Sequence, residues 1–108
     1  MPFEVLLTND AERDLNELYD YIAVHDSTRK AYYVLGQIEK TFSTLSKFPE
    51  RGVYPKELLK LGIREYREVF FKPYRIIYRV MDKKVYVLLI VDGRRDMQSL
   101  LQRRLLDS

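Results

Sequence analysis

No cysteine occurs anywhere in the chain, so disulfides and thiolate zinc sites are both excluded. Histidine is almost as scarce. The single one, His25, falls at the far end of a helical pattern and reads as an exposed helix-end residue. No metal and no other cofactor is expected. No apolar run approaches the roughly 18 residues that a membrane span requires. The opening MPFEVLLTND carries an acidic residue and no basic stretch, so it does not read as a secretory signal. Together these absences point to a cytoplasmic protein that does not enter the membrane. Glycine and proline number four each, and half of them fall in FPERGVYPKELLKLG, which marks that stretch as the one long irregular link.

What the chain does contain is apolar and aromatic material. At 46% hydrophobic and 13% aromatic over 108 residues, there is enough for one modest core and too much for disorder. A single domain over residues 1–108 is expected.

The patterning divides cleanly. Phe3 to Leu7 is a short apolar run suited to a first strand. Asn9 followed by Glu12 has the spacing of a capping box, which predicts a helix start there. Ala11, Leu15, Leu18, Tyr19 and Ile22 then recur at helical intervals, as do Ala31, Leu35, Ile38, Phe42 and Leu45 after a break at Asp26-Ser27. Ser27 is suited to cap the second helix. Leu58 to Leu61 suggests a brief helical turn inside the link.

Beyond it, EYREVFF, YRIIYRV and VYVLLIV read as three strands of an antiparallel meander. Tyr74, Ile76, Tyr78 and Val80 alternate with Arg75, Ile77 and Arg79, the period of a strand with two distinct faces. Val85 to Val91 is apolar at every position, as a strand covered on both faces must be. Pro73 separates the first two strands and MDKK the next two. MQSLLQRRLL closes the chain as a short helix with Met97, Leu100, Leu101 and Leu105 on one side. The order predicts an α+β fold: N-terminal strand, helical hairpin, three-stranded antiparallel meander and C-terminal helix.

Positive charge is concentrated on the meander. Between Arg64 and Arg79 lie five basic residues (Arg64, Arg67, Lys72, Arg75, Arg79) and two acidic ones (Glu65, Glu68), a net of +3 that equals the net of the whole chain. A field concentrated in this way steers an anionic partner. Arg94 and Arg95 follow where DGRRD leaves the last strand. Tyr19, Tyr74 and Tyr78 sit at core periodicities; the pattern leaves Tyr32, Tyr33 and Tyr66 open between packing and base stacking.

PYRIIYRV, then VYVLLIVDGRRD, preceded by FPERG after the second helix, resembles the ParE/RelE family of type II toxins across essentially the whole chain. The resemblance implies a small toxin neutralised by a cognate antitoxin. It also implies one of two activities: RelE-like members cleave messenger RNA on the ribosome, and ParE-like members inhibit DNA gyrase without being nucleases.

The nuclease pattern needs cations for the phosphate and groups that move protons. Its two arginines correspond to Arg75 and Arg95. Its C-terminal tyrosine corresponds to Leu101, and its lysines fall near Tyr66 to Glu68, where only Arg67 is basic. The ParE-like branch is therefore favoured, with Arg67, Arg75, Arg94 and Arg95 expected to bind the target and DNA gyrase as that target. Leu100, Leu101 and Leu105 are expected either in the core or as the antitoxin-binding surface. The alternative is a metal-independent endoribonuclease acting on ribosome and messenger RNA through Arg75, Arg95 and Tyr78, with Asp92 or Asp96 as substitute acid or base. A toxin-like fold without toxicity is a third reading. A second copy of the chain, as a homodimer, is a further candidate partner. Arg75 and Arg95 are expected to converge on one anionic feature.

Overall fold

A computed structural model describes residues 2–107. Strand β1 (Glu4–Leu7) leads into helices α1 (Asn9–His25) and α2 (Thr28–Ser43), with a 3₁₀ turn at Thr44–Ser46. The link holds one short helix, α3 (Lys56–Leu59). Strands β2 (Arg67–Phe71), β3 (Tyr74–Met81) and β4 (Lys84–Asp92) form the meander, and α4 (Met97–Leu101) runs on into a wider helical turn over Gln102–Leu106. The sheet order is β1-β4-β3-β2, with β1 parallel to β4 and the other pairs antiparallel. The α+β architecture and the placing of β4 inside the sheet are as the sequence predicts.

Both faces of this sheet are covered. The helical hairpin closes one face, where Ile22, Val34, Ile38 and Phe42 pack on Ile76, Tyr78, Val85 and Val87. The C-terminal helix and α3 close the other, where Leu58, Met97, Leu100 and Leu101 meet Ile77, Leu89 and Val91. β4 serves both cores because its phase changes midway. Ile77 pairs with Leu89 but Tyr78 pairs with Val87, so Leu88 is an extra residue with no opposite number on β3. Val85 and Val87 therefore share a face with Ile90, whereas Leu89 and Val91 take the other.

Helix α1 starts one residue earlier than the Asn9–Glu12 pattern indicates. Thr8 is the cap: its hydroxyl accepts the Ala11 N–H at 3.2 Å while its own N–H still donates to Val87, closing β1 on β4. That last extended residue is the natural cap position. Ser27 caps α2 as expected, accepting from Lys30 N–H at 3.0 Å. His25 lies exposed at the end of α1, its Nδ1 2.9 Å from the Tyr21 carbonyl oxygen.

The β3–β4 hairpin turns on Asp82 (φ 51°) and Lys83 (φ 61°), both in the left-handed region that a two-residue type I′ turn demands. Neither is glycine, so the turn carries backbone cost that glycine would relieve. Lys83→Gly should raise stability by about 0.5–1 kcal/mol, read as a higher urea midpoint with unchanged slope.

Candidate functional site

Arg75 projects from β3 onto the α4 side of the sheet and is only 8% exposed. Each of its nitrogens donates to a carboxylate. Nε reaches Glu68 Oε1 at 2.7 Å, and Nη1 and Nη2 reach Glu57 Oε2 and Oε1 at 2.9 and 2.8 Å. Glu68 comes from β2, opposite Ile77, and Glu57 from α3. The cluster holds two carboxylates and one guanidinium, so it contributes net negative charge. Hydrogen bonds from Arg75 hold Glu57 below the usual carboxylate range, against its burial. Burial dominates at Glu68 and lifts it above that range, although Arg75 pulls the other way. The bond to Glu57, chief among its contacts, keeps Arg75 firmly protonated.

This geometry corrects the expectation that Arg75 holds a target or a phosphate, since its donors are already engaged. The concentrated charge of the Arg64–Arg79 segment is reduced accordingly, because Glu57 reaches in from outside it. Gly93 has a related role. A Cβ there would sit 2.6 Å from Arg75 Cδ and 3.1 Å from the Pro73 carbonyl oxygen. The glycine in DGRRD makes room for the arginine stem.

The proton-transfer candidates are also engaged. Tyr78 has no exposed surface; its hydroxyl donates to the Pro49 carbonyl at 2.7 Å and accepts from Gly52 N–H at 3.0 Å. Burial pushes the phenol above its ordinary value, the opposite of what a proton shuttle at neutral pH needs. FPERG owes its glycine to this contact: a Cβ on Gly52 would lie 2.6 Å from the Tyr78 hydroxyl and 2.7 Å from the Glu68 carbonyl oxygen. Asp96 caps α4, accepting from Ser99 N–H and hydroxyl, and Asp92 accepts from Arg94.

Leu100 (5% exposed) and Leu101 (1%) are core residues, which corrects their assignment as antitoxin contacts. The reason is that α4 covers the sheet face opposite the helical hairpin, so its apolar stripe is already spent on Ile77 and Leu89. Leu105 is half-buried against the same cluster. Tyr66 is buried, while Tyr32 and Tyr33 are exposed.

Arg95 is exposed, and its side chain has neither a hydrogen-bond nor an ion-pair partner among the described residues. It stands at the rim of a cleft of about 440 Å³ between α1 and the end of β4, walled by Leu18, Tyr21, Tyr74 and Ile90. Arg94 lines the same cleft but folds back onto Asp92, with Nε 2.9 and 3.2 Å from the two carboxylate oxygens, and holds that carboxyl below its usual range. Arg75 is not among the lining residues; it faces the other side of the sheet. The expected convergence of Arg75 and Arg95 does not occur. Arg67 is half-buried, donating to the carbonyls of Gly52 and Glu50 and to the Tyr54 hydroxyl, with its guanidinium 4.6 Å from the Tyr54 ring centroid.

Sequence reasoning missed the seal along β4. β1 pairs only as far as Val87, and beyond it α1 and the C-terminal turn supply the missing partners. Asp14 Oδ2 accepts the Ile90 N–H at 3.0 Å; Arg104 donates to the Leu88 carbonyl at 3.0 Å and grips both Asp14 oxygens at 3.0 and 2.9 Å. Asp14 and Arg104 stand 90 positions apart, and no local spacing announces such a pair.

Residues 5–97 match the family model described as the ParE toxin of the type II toxin–antitoxin system parDE. Toxin ParE3 of Caulobacter vibrioides is 28% identical over 100 residues, a stretch covering 93% of this chain and 96% of that protein. Among solved structures, one from the chromosomal ParDE toxin–antitoxin system of P. aeruginosa superposes with a TM-score of 0.71 at 22% identity, over 83% of this chain and 95% of that one. One from the RelBE2 toxin–antitoxin complex of Mycobacterium tuberculosis gives 0.57 at 26% identity, over 85% and 92%.

Proposed function

The chain belongs to the ParE family of type II toxin–antitoxin toxins, and from that premise we propose that it stops growth by binding and inhibiting DNA gyrase, without catalysis, until a cognate antitoxin neutralises it. The observation that carries this reading is the state of Arg75. An arginine whose every nitrogen donates to Glu57 or Glu68 has no fork left for a scissile phosphate. The groups that would accompany it in a nuclease are occupied too: Tyr78 by Pro49 and Gly52, and the Leu101 position by the core.

Target recognition then falls to Arg95, an exposed guanidinium at a rim built from two rigid elements. Induction without antitoxin should produce filamentous cells with a DNA-damage response and intact messages, and purified protein should inhibit gyrase supercoiling. Prompt translational arrest with cleaved messages would overturn the reading in favour of the ribonuclease.

Arg95→Ala should raise the concentration needed for half-inhibition of gyrase about tenfold, the worth of one good charged contact. Its thermal midpoint should be unchanged. Arg95→Lys should recover little, because an ammonium cannot offer the planar paired donors of a guanidinium. Full potency in Arg95→Ala would move the target surface off this rim.

A further inference from the structure

The cleft beside Arg95 has a floor made of main chain. Val91 lines it, yet the Val91 side chain packs on the opposite face of the sheet with Leu58 and Met97. What Val91 shows the cleft is backbone, the edge of β4 beyond the last residue paired with β1. We propose that this edge receives one residue of an extended segment of the target, paired in parallel with β4, flanked by apolar side chains and followed by a carboxylate for Arg95. The proposal rests on the reading that the target meets the Arg95 rim, and names what the target must present there.

The ladder register fixes which groups are open. Gly93 N–H donates to the Pro73 carbonyl at 2.8 Å, so position 93 turns its bonding groups toward β3. Asp92, opposite Tyr74, and Ile90, opposite Ile76, therefore turn theirs away from β3. The Ile90 N–H follows this phase, donating to Asp14 across the free edge at 3.0 Å. Of the four main-chain groups that face this edge, two are taken: the Ile90 N–H by Asp14 and the Asp92 carbonyl by the Arg95 N–H at 3.3 Å. The Ile90 carbonyl and the Asp92 N–H have no partner among the described residues.

An acceptor and a donor on either side of one residue are what a parallel partner needs. In a parallel ladder one residue donates its N–H to the carbonyl before its neighbour and accepts the N–H after it. β1 already meets β4 in this way, with Glu4 opposite Lys84 and donating to the Lys83 carbonyl. A residue beside Val91 would take up the same relation farther along the strand. An antiparallel residue opposite Ile90 or Asp92 would need both main-chain groups of its partner, and one of each is taken. A helix could cover the walls but not the floor, because its own N–H and C=O groups are already paired.

Side chains alternate along a strand. The neighbours of the pairing residue therefore share the face of Ile90 and Asp92, toward Leu18, Tyr21 and Tyr74, and should be apolar. Arg104 on the Leu88 carbonyl blocks the ladder behind, which confines the pairing to one residue. Running with β4, the segment leaves past Arg95, where a carboxylate finds a guanidinium fork.

The test is inhibition of gyrase supercoiling by variants of the full-length chain. Asp92→Pro deletes the free N–H without touching the ladder to β3, since that N–H points away from it. Asp92→Ala removes the same carboxylate and keeps the N–H. Half-inhibition should need about tenfold more Asp92→Pro than Asp92→Ala. Tyr21→Ala should weaken inhibition about fivefold, whereas Phe48→Ala, equally exposed at 62% but on the link, should not. Hydrogen exchange at the Asp92 amide should slow when gyrase is bound.

If Asp92→Pro alters the fold, Tyr21→Ala and the exchange of the parent chain carry the test. Equal potency of the two folded Asp92 variants, or an Asp92 amide that exchanges as fast with gyrase bound, would overturn the pairing; a weakened Arg95→Ala would still leave the target reading standing. Lost antitoxin binding with gyrase inhibition intact in Asp92→Pro would assign the cleft to the antitoxin and overturn the proposal. No gyrase inhibition by the parent would end the target reading, and the proposal with it.

Discussion

Arg75→Ala should cost about 3–5 kcal/mol of folding stability, the range for removing one partner from a buried charge cluster. The loss comes less from the bonds broken than from what remains. Glu68 is 5% exposed and Glu57 sits beside it, so the variant buries two carboxylates with no cation between them.

The pH dependence identifies the cause. In the parent, Glu57 is held below its ordinary value, so it adds stability above its unfolded pKa, lost as pH falls through the folded value. Glu68 is held above its ordinary value and works in reverse: the folded chain binds its proton more readily, and stability is gained as pH falls through that raised value. Without Arg75, burial of both carboxyls and the repulsion of Glu68 by Glu57 are offset only by the Lys56 charge and by a backbone hydrogen bond at Glu57. Arg75→Ala should therefore recover stability on acidification from neutrality toward the glutamate range, by urea denaturation, where a variant lacking only packing would not.

Replacing the whole cluster, with Arg75→Met, Glu57→Leu and Glu68→Leu together, should return stability to within about 1–2 kcal/mol of the parent, since apolar substitutes avoid the desolvation of all three charges. A cost below about 1 kcal/mol for Arg75→Ala alone would mean that the cluster behaves as a surface ion pair and that Arg75 is free for ligands after all.

The second large effect is expected at Leu101. Leu101→Ala should destabilise by about 2–5 kcal/mol, as truncation of a fully enclosed leucine does, with Leu106→Ala near neutral as the comparison because Leu106 is 40% exposed. Leu101→Tyr is the more informative change. It restores the residue type of the nuclease pattern, yet the ring must enter a core already filled by Leu58, Ile77 and Leu89. A loss of about 1–3 kcal/mol is expected from overpacking, with no cleavage of messages on programmed ribosomes. Cleavage by Leu101→Tyr would show that Arg75 can leave its glutamates and that one phenol separates the two activities.

How far these sites were legible depends on where their partners lie. The two faces of β3 are written in the alternation of Tyr74 to Val80, and the helical hairpin in two apolar stripes, because local periodicity determines both. The engagement of Arg75 is not written locally. Glu57 lies 18 positions upstream inside the irregular link, where no period constrains it, and only the docking of α3 brings it in. Leu101 is ambiguous for another reason. A single apolar stripe on a terminal helix has the same pattern whether it covers its own sheet or receives a partner, and here the uncovered sheet face claims it. The capping signal at Asn9–Glu12 misses by one residue because Thr8 serves strand and helix together.

The extra residue in β4 has a consequence for length as well as shape. With Leu88 removed, Val87 and Leu89 would become neighbours still facing opposite sides, and every other pairing of β4 with β3 could persist. Because residues 85–91 are apolar throughout, loss of Val87 or Leu89 would be absorbed in the same way, with Leu88 stepping into the vacant place. The strand thus carries a spare position. A relative one residue shorter here would keep both cores, and a gap between residues 87 and 89 in a comparison of the two sequences would mark a straightened ladder rather than a lost contact.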